Sequence, residues 1–345
     1  MDLNSTGLIE LQVQYCFQSG NASCPKEIHP TAIRVTLYIF WTGIVMLTVC
    51  GNLVVIISIS HFKQLHTPTN LFLLSLAVAD FLIGVFVMPF TMIQYIETCW
   101  YFGDILCSIY TMFILVLTSV SISNLVFIAV DRYFVVCNPF IYSTKITIPL
   151  TWMFIALSWM LSVVYTYLLF YFKGNINDVE GIDPCLGDCF LEFNATWTVV
   201  DLIVTFLLPC STMVTVYTKV FIVAKRHARV INAIARQISS ADGNKSNIPK
   251  RSERKATKTL GIVVAVFLLC WVPYYISTVV DAYINFSVPP VVMGTLTWVV
   301  YFNSSMNPII YALFYPWFQK SLKLILTFKI FSPASCMTNL FPENQ

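Results

Sequence analysis

Seven long apolar runs divide this 345-residue chain, at roughly 34–60, 68–92, 104–134, 148–170, 195–222, 256–280 and 290–315. Each is long enough to cross a hydrocarbon layer of about 30 Å as a helix. None alternates apolar and polar residues as barrel strands do, and a helix satisfies its own backbone groups in lipid. Only 11% of residues are charged and 57% are hydrophobic, whereas a soluble domain carries about 25% charged residues. The sequence therefore predicts an all-α membrane protein, a seven-transmembrane helix bundle. A net charge of +3 is too small to imply a nucleic-acid partner. No Gly-rich phosphate loop, metal-ligand cluster or nucleophile motif marks an enzyme.

Lys and Arg set the expected orientation. Lys26, Arg34 and Lys173 fall on one side, and the rest of the 20 basic residues on the other, eleven of them between Lys219 and Lys258. This reading puts the N-terminus outside and the C-terminus in the cytosol. The sequons at Asn4, Asn21 and Asn194 then lie outside as candidate glycosylation sites. The segment before Arg34 is polar, so the first span is expected to act as a signal anchor. Three parts follow: an extracellular N-terminus at 1–33, the membrane domain at 34–315, and 316–345. The last part opens with Pro316-Trp317-Phe318 and sets Phe318, Leu322, Ile325 and Leu326 on one side, with Lys320 and Lys323 beside them. That pattern predicts a short amphipathic eighth helix on the inner membrane surface, followed by a cytoplasmic tail.

Polar residues inside the spans discriminate among seven-helix functions. The seventh run has no Lys to carry a retinal Schiff base, and no internal repeat suggests a transporter. Asp201 lies within the apolar run Trp197 to Tyr217. A carboxylate at mid-bilayer costs about 2.5–3.5 kcal/mol on insertion scales, so it reads as a site for a cation. The alternative is an interfacial acid near the outer end of the fifth span.

The ordered motifs resemble those of the rhodopsin-like G-protein-coupled receptors, across all seven spans. They are Gly51-Asn52, Leu76-Ala77-Val78-Ala79-Asp80, Asp131-Arg132-Tyr133, Trp159, Pro209 with Tyr217, Cys270-Trp271-Val272-Pro273, and Asn307-Pro308-Ile309-Ile310-Tyr311. The run from Asn303 to Phe318, closing on Tyr315-Pro316-Trp317-Phe318, resembles the fingerprint of trace amine-associated receptors. The resemblance implies a cell-membrane receptor with a small-molecule amine ligand and a heterotrimeric G protein of the stimulatory or olfactory type. It implies no cofactor, apart from an allosteric sodium ion held by Asp80, Ser121, Asn303, Ser304 and Asn307. A purely structural polar network is the alternative for that set. Arg132 is expected to pair with Asp131 and with Glu253 of span six. Release of that pair, with Tyr217, Trp271, Pro273, Pro308 and Tyr311 as moving parts, would open a G-protein cleft. Cys107 is expected to bridge to Cys189. Cys185 is then free for an N-terminal cysteine, with Cys24 a better fit than Cys16.

One departure narrows the ligand site. Amine receptors usually carry an Asp five turns before the Arg of the span-three triplet, which is about 18 positions; here that position is Ile114. Asp201 lies eight residues before Pro209, and the chain resembles a fish-type olfactory subgroup whose counter-ion has moved to span five. Thr205 shares its face. Ile114, Leu115 and Thr118 are expected to form the floor, and Trp271, Tyr274, Tyr275, Thr297 and Tyr301 the walls. One acid favours a monoamine over a diamine. A non-amine ligand that only hydrogen-bonds Asp201 is the alternative within the receptor class.

Overall fold

The computed structural model describes residues 14–17, 23–174, 185–189, 195–241, 251–283, 288–332 and 335–341. Span one is α1 (Thr31–His61), and span two is α2 (Pro68–Leu82) continued through a π-turn at Ile83–Val87 into α3 (Met88–Glu97). Span three is α4 (Gly103–Cys137), followed by the short α5 (Pro139–Lys145), and span four is α6 (Ile148–Gly174). Span five is α7 (Ala195–Asp201), a π-turn at Leu202–Leu207 and α8 (Leu208–Ala241). Spans six and seven are α9 (Arg251–Tyr283) and α10 (Pro290–Phe314), and α11 (Pro316–Leu326) follows.

The bundle turns apolar side chains to the lipid and buries its polar ones within an otherwise apolar core. Asp80, Asn52 and Asn124 are fully buried, whereas Leu269, Ile39 and Met160 are exposed. Among the described residues, six helices are long and apolar enough to cross a membrane on those criteria alone. Span seven is long enough, but its inward face carries the buried Asn303, Ser304, Ser305 and Asn307. Span five also outruns the expected inner boundary near 222, because α8 stays helical to Ala241. Its basic stretch is rich in Ala and Arg, which extend a helix readily.

Prolines shape the spans. The π-turns in spans two and five lie just before Pro89 and Pro209, where a wider turn absorbs the missing N–H. Pro308 leaves the Ser304 carbonyl without its helical donor, and Asn52 Nδ2 donates to that oxygen at 3.1 Å. Gly51 permits the contact: a Cβ there would sit 2.8 Å from Pro308 Cβ. The Gly51-Asn52 pair thus fastens span one to the kinked span seven. Trp159 Nε1 similarly joins span four to span two by donating to Ser75 Oγ at 3.1 Å.

Three disulfides cover the end of the bundle where α4 begins. Cys107 is bonded to Cys189, Cys24 to Cys185, and Cys16 to Cys99. The third bridge joins two cysteines that the sequence leaves unassigned. The bridged strands, β1 (Gln14–Tyr15) and β2 (Pro25–Lys26), pair antiparallel. Gly187 sits beneath them at φ +106°, where a Cβ would fall 2.7 Å from Cys16 Cβ.

At the opposite end, α11 buries Trp317 and Phe318 and leaves Leu326 exposed. The chain then folds back. Leu340 is fully buried, its N–H donates to Gln64 Oε1 at 3.1 Å, and Ser335 Oγ meets His61 Nε2 at 2.9 Å. Residues 335–341 therefore dock under the turn between α1 and α2 instead of forming a free tail.

Candidate functional site

Asp201 closes α7 and opens the π-turn that leads to Pro209. That wide turn adds a residue between the two, so the face of Asp201 is set by the bulge and not by an ideal 3.6-residue count. Its half-buried carboxylate meets span four, where the Tyr165 hydroxyl donates to Oδ1 at 3.0 Å. Thr205 Oγ1 donates to the Asp201 main-chain oxygen at 2.7 Å and lies 2.6 Å from the Tyr275 hydroxyl. Spans four, five and six thus converge on one acid through neutral hydroxyls. Among the described residues the ion pairs are Lys26–Glu97 and Arg34–Glu97, so no described basic side chain neutralises Asp201.

Aromatic rings extend from this acid down span six. Tyr275 stacks on Phe206 at 4.6 Å and on Trp271 at 5.8 Å. Trp271 in turn packs against Phe267 at 5.8 Å and edge-on against Tyr274 at 6.2 Å. Tyr301 is buried beside Trp298, with ring centroids 6.2 Å apart. Tyr110 shares a 2.8 Å hydrogen bond with Thr91 on span two. Ile114 packs on the apolar core, and Leu115 and Thr118 are half-buried beside it on α4. Thr297 spends its hydroxyl on its own helix, donating to Met293 O at 2.9 Å.

Asp80 forms a second buried centre. Its Oδ1 accepts from Ser121 at 3.2 Å and Ser304 at 2.8 Å, and its Oδ2 accepts from Asn307 at 2.7 Å. Asn303 is buried nearby on span seven without bonding Asp80. The side-chain oxygens of Asn52 and Asn124 lack a partner. A buried carboxylate with two hydroxyl oxygens at one of its atoms is a donor set that suits a small hard cation.

The chain matches the rhodopsin-family seven-transmembrane receptor model over residues 51–311. It is 49% identical to Trace amine-associated receptor 13c of Danio rerio over 331 residues, which is 95% of this chain and 96% of that protein. Trace amine-associated receptor 4 of Mus musculus is 42% identical, with 96% of this chain and 97% of that protein covered. Trace amine-associated receptor 7e of Rattus norvegicus is 44% identical, with 97% and 94% covered.

This chain belongs to the trace amine-associated receptor family. It is a G-protein-coupled receptor that crosses the membrane several times, and not an enzyme.

Within this receptor the span-three triplet behaves differently from the sequence expectation. Asp131 does not form an ion pair with Arg132. Adjacent residues on a helix do not face each other, and the buried Asp131 Oδ2 accepts instead from Thr69 Oγ1 of α2. Tyr142 of α5 lies near Asp131; its own burial and that neighbouring carboxylate shift its hydroxyl pKa above the usual value. Tyr133 packs edge-on against Phe134 at 5.5 Å. Tyr217 lies close enough to interact with both Tyr315 and Arg132. Tyr311 is buried against Tyr315 at 5.8 Å. Pro273 lies inside α9 and Pro308 inside α10. Glu253 lies on α9, but its side chain falls outside the described residues, as do Asn4, Asn21 and Asn194. Sequence reasoning passed over Tyr165 and Thr69. The available signal was the same in both cases: a hydroxyl on a membrane helix needs a partner.

Proposed function

We propose that this receptor detects a small, volatile monoamine, in smell, through an ammonium salt bridge to Asp201. The observation that carries this reading is a half-buried carboxylate ringed by the neutral donors Tyr165, Thr205 and Tyr275, with no ion-pair partner among the described residues. An incoming ammonium would supply the missing charge, and a partly desolvated, charge-assisted hydrogen bond is a strong one. Trp271, Tyr274 and Tyr301 offer aromatic faces to the same cation, each worth about 0.5–2 kcal/mol where well aimed. With Ile114 on span three, the cation points to span five and the tail toward spans two, three and seven.

The signal would travel down span six. Tyr275 touches Thr205 beside the acid and stacks on Trp271, so an altered Asp201 environment is felt directly by the ring next to Pro273. That proline weakens the helix at the hinge. Outward movement of span six would release Arg132 for a stimulatory G protein that raises cyclic AMP. Asp80, Ser121, Asn303, Ser304 and Asn307 would hold a sodium ion whose charge offsets the buried carboxylate. In this reading the N-terminus, glycosylated at Asn4, Asn21 and Asn194, is extracellular and the C-terminus cytoplasmic.

A panel of mono- and diamines, applied to receptor-expressing cells with a cyclic-AMP readout, tests the ligand class. Ile114→Asp adds a second anchor and is expected to raise the response to diamines. Responses confined to uncharged compounds would overturn the amine assignment.

A further inference from the structure

We propose that Tyr165 is a positioning residue for the ligand anchor, which brings span four into the amine site. The inference rests on the reading of Asp201 as counter-ion. Most of α6 looks outward: Met160, Leu161, Tyr167 and Leu168 are exposed. Tyr165 is half-buried, on the helical face that also carries Ser158, Ser162 and Thr166, all buried. Ser162 on that face donates to Ser119 of α4 at 3.0 Å, so this side of span four is bonded to the bundle.

Tyr165 reaches across to span five and donates to Asp201 Oδ1 at 3.0 Å. The two other hydroxyls also lie near the carboxylate, but their short hydrogen bonds go to other atoms. Thr205 bonds the Asp201 main-chain oxygen, and its hydroxyl and that of Tyr275 share a 2.6 Å hydrogen bond. Tyr165 is therefore the hydroxyl with a direct hydrogen bond to the carboxylate, and that bond sets its rotation. A carboxylate side chain otherwise turns freely about its last bond, which is broad and two-fold. With Oδ1 engaged by a phenol, Oδ2 is left for one ammonium N–H. A phenol is also a neutral donor, so it steadies the negative charge without cancelling it, as a Lys or Arg in the same place would. Tyr165 thus prepares Asp201 for a cation that must come from the ligand.

Such a role predicts coupling between the two residues and not merely a loss at each. The experiment measures amine affinity on membranes at matched receptor density for wild type, Y165F, D201N and the double variant. Y165F is expected to weaken binding about tenfold, as loss of one charge-assisted hydrogen bond should. In the D201N background the same change is expected to add almost nothing, because the acceptor charge is already gone. If D201N leaves amine affinity unchanged, the counter-ion reading itself fails. If D201N weakens binding while Y165F is silent, or equally costly in both backgrounds, that reading stands and the role of Tyr165 is overturned. A second variant, Y165H, keeps a ring N–H donor; it is expected to lose less affinity than Y165F, and equal losses overturn the proposal.

Discussion

Asn52 of span one donates to the Ser304 carbonyl of span seven at 3.1 Å, the oxygen that Pro308 strips of its helical donor four residues on. A buried polar group left without a partner costs about 1–3 kcal/mol. Asn52→Leu is therefore expected to lower the thermal midpoint of the detergent-solubilised receptor. Gly51→Val should do the same by forcing a side chain against Pro308, an overpacking that costs about 1–3 kcal/mol. Midpoints equal to wild type for both variants would mean that the two spans are not fastened here.

The Cys16–Cys99 bridge ties the N-terminal strand to the segment just after span two. Peptide mapping under non-reducing conditions is expected to recover those two cysteines together, alongside Cys24–Cys185 and Cys107–Cys189. Replacing both Cys16 and Cys99 with Ser should cost stability on the order of 2–4 kcal/mol, typical of one native disulfide. Recovery of Cys16 bonded to Cys185 would contradict this arrangement.

Sodium should oppose amine binding if Asp80 holds the ion in the resting form. Exchanging sodium for a bulky organic cation in the assay buffer is expected to raise amine affinity by roughly fivefold or more, in the usual range of allosteric coupling. Asp80→Asn should abolish that difference. A sodium effect that persists in the variant would locate the ion elsewhere.

Tyr275 links the acid to the mid-span tryptophan by a hydroxyl at one end and a ring face at the other. Tyr275→Phe keeps the stacking on Phe206 and Trp271 and removes only the 2.6 Å bond to Thr205. A loss of about 1 kcal/mol, or roughly fivefold in potency, is expected from one neutral hydrogen bond. Dose–response curves with cyclic-AMP detection check it. Full potency in this variant would remove the hydroxyl from the signalling route.

The membrane spans were legible because length and apolarity are enough to define a crossing helix. Asp80 and Asp201 stood out because charge in lipid is costly. Their partners were harder to read. Tyr165 lies 36 positions from Asp201, and a tyrosine in an apolar run looks like packing until the fold places an acid beside it. The bond from Thr69 to Asp131 was hidden by a neighbour of opposite charge, Arg132, which is adjacent in sequence and drew the expected pairing to itself. The docked segment at 335–341 carries no periodic pattern, since it is held by the buried Leu340 and by scattered hydrogen bonds to His61, Gln64 and Lys320. Span seven was legible both as an apolar run and by its motif, although its inward polar face lowers its mean hydropathy below that of the other six.

The most direct test of the account is amine affinity after Asp201→Asn, which keeps the size and polarity of the side chain and removes its charge. Surface-labelled wild type and variant are titrated with the most potent primary amine from the panel. The account predicts a loss of about a hundredfold or more, as expected when a partly buried charge pair loses one partner. Affinity within a few-fold of wild type would contradict it, and the ligand's positive charge would then be met by another group.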